Sequence, residues 1–293
     1  MSKGVLVSVL ASCMFGVLYF LPTLLVPLTG QELFGWRLAI AAPLVTVVLR
    51  ATGQWPHVPA FLRQVRERPA LALTLVLSSA ILGVQQWLFT WAPTHGHGLN
   101  VALGFFLMPL AMVVVGVAAF GERLSRWRLA AVLCALLGVI NEVLRVGTLS
   151  WSTLLPALGF PAYFSLRRLA RTDHVAGTWV ELILMFPPAV WFALTGPNLG
   201  LIPSLAGPVL LLGLLGGSAL LLYLLASQLL PFNLFGLLSY FEPVLLVLVS
   251  LAFLGERIEP REWLTYVPIW LAVGLLIVEG AVLVRRMRGL KLG

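Results

Sequence analysis

One acidic residue stands alone in a long apolar stretch. Glu242 is the only charged residue between Glu181 and Glu256, and Pro243 follows it. A carboxyl group inside lipid is costly and marks a functional site by default. Pro243 has no amide proton to donate, so it frees a backbone carbonyl one turn earlier. The pair predicts a site for a proton or a substrate ammonium group; the structural alternative is a carboxyl kept neutral by desolvation or bonded to a neighbouring helix.

Arg37 is the complementary basic residue. The charge-free run 38–49 is too short to cross a bilayer, so this span has to extend back through Trp36 and Arg37. At that depth Arg37 is a candidate partner for a substrate carboxylate. A long side chain near a helix end can instead snorkel to the interface, and we favour that interpretation for Arg37 and Glu181 unless the side chain faces a cavity.

Aromatic and amide side chains form the third class of candidate. The aromatic candidates are Trp87, Trp91, Phe105, Phe106, Tyr163 and Tyr240. Such rings accept apolar or aromatic solutes and hold cationic head groups. The alternative for Trp and Tyr near span ends is an interfacial belt. The amides of Gln86 and Asn100 either orient a ligand or bond helices together.

The remaining reactive side chains do not predict catalysis. His95 and His97 lie in one short outer loop and make a poor metal site without further ligands. Cys13 and Cys134 lie in apolar stretches, with neither a disulfide framework nor ligand spacing. Paired carboxylates, a Ser–His arrangement and a Gly-rich phosphate loop are not visible in the sequence. We therefore predict no catalytic residue, no metal site and no cofactor.

The elements that position the candidates are membrane helices. Of 293 residues, 60% are hydrophobic and 10% are charged, whereas about a quarter are charged in soluble domains. The solvent for this much apolar surface is lipid. Apolar runs between polar breaks predict ten spans, near 4–27, 31–50, 69–92, 98–120, 125–145, 150–170, 175–195, 206–228, 233–255 and 261–284.

The basic residues indicate the orientation of these spans. With the N-terminus placed in the cytoplasm, fifteen of the nineteen Lys and Arg residues fall on the inner side. The outer four are Arg37, Arg145, Arg257 and Arg261. This bias predicts an even number of spans and cytoplasmic termini. Because the basic residues are scattered among loops and form no stripe, a nucleic-acid partner is excluded and membrane lipid is expected.

The chain repeats itself at an offset of 134 residues. Segment 103–123 aligns with segment 237–257, so that Pro109 meets Pro243 and a Gly-Glu-Arg sequence ends both segments. Both prolines are predicted to break their helices. The shared proline and the shared terminal motif make chance similarity a poor explanation.

Equivalence of the fourth and ninth spans divides the chain into two five-helix halves, 1–145 and 146–293. Because five is odd, the second half is predicted to be inverted. Inverted repeats are typical of secondary transporters, which bind their solute at the repeat interface near the membrane centre. The prediction is an all-α membrane protein of ten helices around a central cavity.

Two motifs are assigned to structure. Gly213 and Gly217 have the spacing of close helix contact, which favours packing. Glu122 and Glu256 stand beside arginines at helix ends, where interfacial pairing is expected.

The proline-containing helices that end in Gly-Glu-Arg resemble the EamA repeat of the drug/metabolite transporter superfamily. Residues 86–92 (QWLFTWA), with His95 and His97 after them, resemble its RarD-like branch, as does the run 102–106 leading to Pro109. Amino-acid exporters of the YddG type share this architecture. The resemblance implies a bacterial inner-membrane protein whose cavity is lined mainly by spans 1, 3, 4, 6, 8 and 9, where all six aromatic candidates fall.

The function expected from the resemblance and the repeat is secondary transport by alternating access, with export of small organic solutes such as amino acids, related metabolites or drugs. Protons are a candidate coupling ion, and we expect a monomer or a weak dimer. The alternatives are a membrane-embedded enzyme and a lipid-binding scaffold. An enzyme needs a polar cluster at one depth, and a scaffold leaves the lone Glu242 unexplained.

Overall fold

The computed structural model describes residues 2–121, 125–146, 149–230, 235 and 238–289. Every regular element in these residues is a helix. Eight of the described helices are long and apolar enough to cross a bilayer, and a shorter apolar helix covers Phe241–Ala252. The predicted all-α membrane fold is confirmed. Glu122, Arg123, Lys291 and the beginning of the predicted ninth span lie outside the described residues.

The helices follow the predicted spans closely. They are α1 Ser2–Phe20, α2 Gly30–Ala51, α3 His57–Glu67, α4 Pro69–Trp91, α5 Gly98–Phe120, α6 Arg126–Val146, α7 Trp151–Ala170, α8 Val175–Thr195, α9 Ile202–Leu229, α10 Phe241–Ala252 and α11 Trp263–Gly289. α1 ends seven residues before the predicted limit, and a 3₁₀ segment, Leu21–Leu25, follows it. Pro22 explains this early end, since proline cannot continue the hydrogen-bond ladder of an α-helix.

Helix α3 lies between the predicted second and third spans, 31–50 and 69–92, where no span was predicted. Its apolar side chains Val58 and Phe61 pack against Ala176 and Val180 of α8, while Arg63 is exposed. This two-faced pattern is typical of a short helix that lies along a surface instead of crossing the membrane.

Local signals explain where several helices begin and end. Thr29 and Glu32 form a capping box at the start of α2, which satisfies backbone donors that have no partner within the helix. Gly121 and Gly255, the glycines of the repeated motif, both have a left-handed backbone, with φ of 64° and 71°. Since residues with a side chain rarely adopt this conformation, the repeat requires glycine at both positions.

The proline prediction needs one correction. Pro109 lies inside the continuous helix α5 and does not break it. Neighbouring hydrogen bonds hold a membrane helix together across one missing donor. Pro243 lies in the first turn of α10, where its missing donor costs nothing.

The chain forms two compact units by contact. The first unit contains Met1–Cys13, Gly96–Pro161 and Leu225–Gly293, and the second contains Met14–His95 and Ala162–Leu224. Each unit therefore takes helices from both predicted sequence halves. The division at residues 145 and 146 stays a prediction about the repeat.

In the second unit, α2 packs along α8. The core contains Phe34, Leu38 and Val45 of α2 with Leu182, Met185 and Ala189 of α8. Helix α9 approaches the same helix α2 through its glycines. A Cβ atom at Gly213 would lie 2.3 Å from Cβ of Ile40, and one at Gly217 would lie 3.2 Å from Cα of Ala41. The close-contact interpretation of this motif is confirmed.

In the first unit, α6 packs against α11, and ion pairs join the two helices. Arg128 lies 3.3 Å from Glu279. Arg145 contacts Glu142 of its own helix at 2.8 Å and Glu262 at 3.0 Å. Charges at helix ends are thus neutralised by partners that the fold brings near.

Candidate functional site

The second unit holds a buried basic residue with an incomplete set of partners. Arg37 of α2 is 6% exposed, and its Nη2 donates to Oε1 of Gln86 on α4 at 2.6 Å. Its Nη1 is buried and has no hydrogen-bond partner among the described residues. The snorkelling interpretation is therefore wrong for Arg37, since a snorkelled guanidinium would reach an exposed interface.

Gln86 has a defined orientation because of this contact. A guanidinium only donates hydrogen bonds, so the amide oxygen of Gln86 has to face Arg37 and its NH₂ group points elsewhere. The sequence prediction paired neither residue with the other. The pair presents hydrogen-bond donors and no carboxylate, which is the chemistry of an anion site.

One aromatic ring lies against Arg37, and further rings contact that ring or one another. The guanidinium carbon of Arg37 lies 5.5 Å from the ring centre of Phe89. The Phe89 ring contacts Tyr19 at 4.8 Å and Phe15 at 6.3 Å, and Phe15 contacts Tyr223 at 6.2 Å. We call Phe15, Tyr19, Phe89 and Tyr223 the aromatic cluster. Sequence reasoning missed all four, because apolar helices carry many such rings and periodicity does not rank them.

Trp87 and Trp91, two of the aromatic residues predicted to bind solute, lie about one turn apart on α4. Their ring centres are 5.6 Å apart, and Trp91 also stacks on His95 at 4.2 Å. Trp87 lines an apolar groove of about 470 Å³ between α2, α4 and α8, together with Phe34, Met185 and others. This part of the site therefore offers ring surface and little polarity.

A second buried arginine in this unit has a counter-charge, although its Nε is buried without a hydrogen-bond partner among the described residues. Arg167 of α7 lies 3.3 Å from the carboxylate of Glu181 on α8, and Tyr163 donates to the same oxygen at 2.8 Å. Ser78 donates to the other oxygen at 2.6 Å. Glu181 is completely buried, so the snorkelling interpretation is wrong for it as well. Tyr163, predicted to bind solute, uses its hydroxyl in this network.

The other end of Arg167 holds the turn between α7 and α8. Its Nη2 donates to the carbonyl of Thr172 at 2.7 Å and to the hydroxyl of Thr178 at 3.0 Å. His174 caps α8 by accepting from the amide of Gly177 at 3.1 Å. Partial burial, with the positive charge of Arg167 nearby, lowers the pKa of the His174 imidazole. The network holds the turn between α7 and α8 in place, and no spacing in the sequence predicted it.

Glu32 is a buried acidic residue with a structural role. Beyond its capping box, its Oε1 accepts from the amide of Asn198 at 2.8 Å, and its Oε2 accepts from the Asn198 side chain at 3.0 Å. Gly196 leaves room for it, because a Cβ there would lie 2.2 Å from Cγ of Glu32. The Thr-x-x-Glu pattern could have revealed the cap from sequence, whereas the contact with Asn198 required the fold.

In the first unit, Asn100 lies in the first turn of α5. Its backbone carbonyl accepts from Thr153 at 2.9 Å, and its amide nitrogen lies 3.4 Å from Nδ1 of His97. That same Nδ1 lies 3.0 Å from Oγ of Ser152. Ser152 is completely buried, so this Ser–His contact gives no substrate access and is not the arrangement of a nucleophile.

The predicted phenylalanines of α5 are core residues. Phe106 is 2% exposed, and Phe105 packs against Phe160 with ring centres 5.3 Å apart. Tyr240, just before α10, is 8% exposed. All three are buried side chains of the first unit.

Glu242 lies in the first turn of α10 and is half-buried. It makes no hydrogen bond or ion pair with any other residue in the described part of the chain. A carboxylate near a helix N-terminus is favoured by the helix dipole. Because it has no partner among the described residues, the carboxyl group of Glu242 is available to bind a proton or a solute.

Glu256 has a different role from the one predicted. Its two carboxylate oxygens accept from the amides of Gly98 and Leu99 at 2.6 and 2.5 Å. Gly98 permits this, because a Cβ there would lie 2.8 Å from Glu256 Oε1. The interfacial pairing expected with Arg257 is replaced by a cap on the N-terminus of α5, where free amides attract a carboxylate.

Comparison with known proteins identifies one family. The EamA-like transporter family matches residues 2–141 and 151–278. Chloramphenicol-sensitive protein RarD of Pseudomonas aeruginosa is 39% identical over 288 residues, covering 97% of this chain and 96% of the relative. An uncharacterized transporter of Haemophilus influenzae is 38% identical over 283 residues, covering 96% and 95%.

One solved crystal structure is similar to this chain, with a TM-score of 0.55 and 19% sequence identity. The match covers 95% of this chain and 99% of the chain in that crystal structure. Likeness at this level of identity concerns the fold alone.

Proposed function

Because this chain belongs to the EamA-like transporter family and is RarD-like within the drug/metabolite transporter superfamily, we propose that it exports small amphipathic organic solutes by alternating access. Amino acids, including aromatic ones, and related metabolites or drugs are the candidate solutes. Secondary transporters bind such solutes within the membrane, where discontinuities in the apolar interior supply polar partners.

The observation that carries the proposal is the Arg37–Gln86 pair beside the aromatic cluster. A charged side chain inside a membrane protein is costly and marks a transport pathway more often than a structural site. Rings beside it suit a solute with one polar end and one apolar body. Trp87 and Trp91, on the same helix α4 as Gln86, are the predicted binding residues nearest in sequence to this pair.

Glu242 is proposed as a second functional residue, in the first unit. Its availability in an apolar helix favours proton coupling or contact with an ammonium group. A transporter with no nucleotide motif in its sequence takes its driving force from a gradient.

We also propose the bacterial inner membrane as the location and cytoplasmic termini. The exposed Arg63, Arg66 and Arg68 in and beside α3 support this orientation, because anionic cytoplasmic lipids attract such side chains. A reporter that is active only in the cytoplasm, fused to the C-terminus, should be active; activity of a periplasmic reporter there would reverse the orientation.

The test of transport is a proteoliposome screen. Amino acids, aromatic metabolites and cationic drugs are offered to vesicles with and without the protein, and chloramphenicol is included because of the name of one relative. Protein-dependent, saturable flux of at least one solute is expected. Flux of none would favour the alternatives, a membrane enzyme or a lipid-binding scaffold.

A further inference from the structure

We propose that Arg37 binds the carboxylate of the transported solute and that the aromatic cluster holds an apolar or aromatic body beside it. The inference rests on the proposed transport function, because it names the class of solute: a monocarboxylate with an apolar body. The site consists of Arg37, Gln86 and the aromatic cluster, all within the second unit.

The contrast between the two buried arginines of this unit is the first support. Arg167 is neutralised by Glu181, whereas Arg37 forms no ion pair with any acidic residue that the structure describes. Removing a charge from water costs several kcal/mol or more unless an opposite charge accompanies it. Arg37 therefore lacks a counter-charge of the kind that Glu181 supplies to Arg167.

The free donors are the second support. Arg37 Nη1 is buried without an acceptor, and Gln86, whose oxygen faces Arg37, has an NH₂ group that donates to no acceptor among the described residues. Carboxylate oxygens accept from donors of this kind, and charge-assisted contacts to guanidinium are the strong ones. One guanidinium balances one negative charge, which favours a carboxylate over a doubly charged phosphate.

The packing of α2 against α9 fixes the arginine in place. A Cβ at Gly216 would lie 3.1 Å from Cγ and 3.3 Å from Nε of Arg37, so the absence of a side chain there makes room for the arginine stem. The hydrogen bond to Gln86 fixes the other end. A guanidinium held at both ends loses little conformational entropy when an anion binds.

The aromatic cluster gives the expected solute its body. Phe89 lies under the guanidinium, and Phe15 and Tyr223, which are half-buried, extend the ring surface from there. Apolar walls exclude water and strengthen the interaction of a carboxylate with Arg37. A short aliphatic acid such as acetate has no body to cover this surface and should bind more weakly.

The test compares 3-phenylpropanoate with 3-phenylpropanamide, which has nearly the same shape and no charge, by calorimetry on the purified full-length protein at neutral pH. We expect the acid to bind at least about tenfold more tightly than the amide, since a hydrogen bond to a charged group usually contributes that much to affinity. Acetate should bind at least about tenfold more weakly than 3-phenylpropanoate. Equal binding of acid and amide overturns the carboxylate site, and equal binding of acetate overturns the role of the rings.

Arg37→Met then tests the residue, with Arg63→Met as the control that removes an exposed arginine of the same unit. The Arg37 variant should lose the preference for acid over amide, and the Arg63 variant should keep it. If Arg37→Met does not fold, the comparison of acid and amide on the unaltered protein still decides. If acid and amide are transported at equal rates, the transport function stands and the carboxylate site is wrong. If binding depends on Arg37 but no solute is transported, the carboxylate site stands and the transport function is wrong.

Discussion

Arg167 and Glu181 lie 3.3 Å apart in the interior of the second unit, where α7 meets α8. Ser78 extends the contact to α4, and Thr172 extends it to the following turn. Three helices therefore converge on one buried ion pair. All of the groups that contact this ion pair belong to the protein itself, so we expect the pair to contribute to stability.

Removing one member of this pair should cost more than removing both. Arg167→Met leaves Glu181 buried without a counter-charge, and the expected loss is about 3–5 kcal/mol in the free energy of unfolding. The double variant Arg167→Met/Glu181→Met removes both charges and should recover part of that loss. Unfolding in mixed detergent micelles measures both. A single variant as stable as the unaltered protein would show that the pair is not held as described.

Close packing of α9 on α2 predicts a strong effect of added side chains. Gly213→Ala places a Cβ 2.3 Å from Cβ of Ile40, so the helices must separate, at a cost of about 1–3 kcal/mol. Gly207→Ala on the same helix meets no atom within 4 Å and should be neutral or stabilising by up to about 1 kcal/mol. Thermal unfolding of the two variants checks the difference, and equal effects would contradict the contact.

The His174 cap predicts a pH effect on stability. Its Nδ1 accepts from Gly177, which requires the unprotonated nitrogen, and the pKa of His174 is lowered in the folded protein. The unfolded chain therefore takes up this proton first as the pH falls. This contribution to stability is present above the ordinary histidine pKa of about 6.5 and is lost progressively below it.

His174→Asn keeps a side-chain acceptor at the cap and removes the titration. The difference in melting temperature between the two proteins should change between about pH 8 and pH 5, with the unaltered protein losing more. A difference that is constant with pH would rule out the titration of His174 as its source.

The Glu256 cap predicts a stability loss at a distance in sequence. Glu256→Ala removes the acceptors of the Gly98 and Leu99 amides, which should cost about 1–2 kcal/mol. Glu67→Ala removes an exposed carboxylate at the end of α3 and should change stability by no more than about 0.5 kcal/mol. Chemical unfolding compares them, and a neutral Glu256→Ala would contradict the cap.

Glu242 should govern transport and not stability. Glu242→Gln keeps the shape and removes the ionisation, so the fold should survive while solute binding or the pH dependence of flux falls. Glu259→Gln, an exposed carboxylate outside the helices, is the control. If the Glu242 variant moves an identified solute at the normal rate and with the normal pH profile, the residue is structural.

The sequence determined the helices because lipid offers the backbone no hydrogen-bond partner, so an apolar run of sufficient length has to form a helix. It also predicted the contact of Gly213 and Gly217, since small residues at this spacing leave room for another backbone. The surface helix α3 escaped prediction. Its apolar face makes sense only against Ala176 and Val180, more than a hundred residues away in the chain.

Only the tertiary structure decided which polar groups meet. Arg37 and Gln86 are 49 residues apart, and Ser78 and Glu181 are 103 apart, so no local pattern joins them. Local sequence fixes how deep a charge lies along its helix, but the partner of that charge depends on how each helix is rotated against its neighbours. The energy of a buried charge depends on that partner. For this reason Arg37 and Glu181 have the same appearance in sequence, whereas packing gives Glu181 a counter-charge and gives Arg37 none among the described residues.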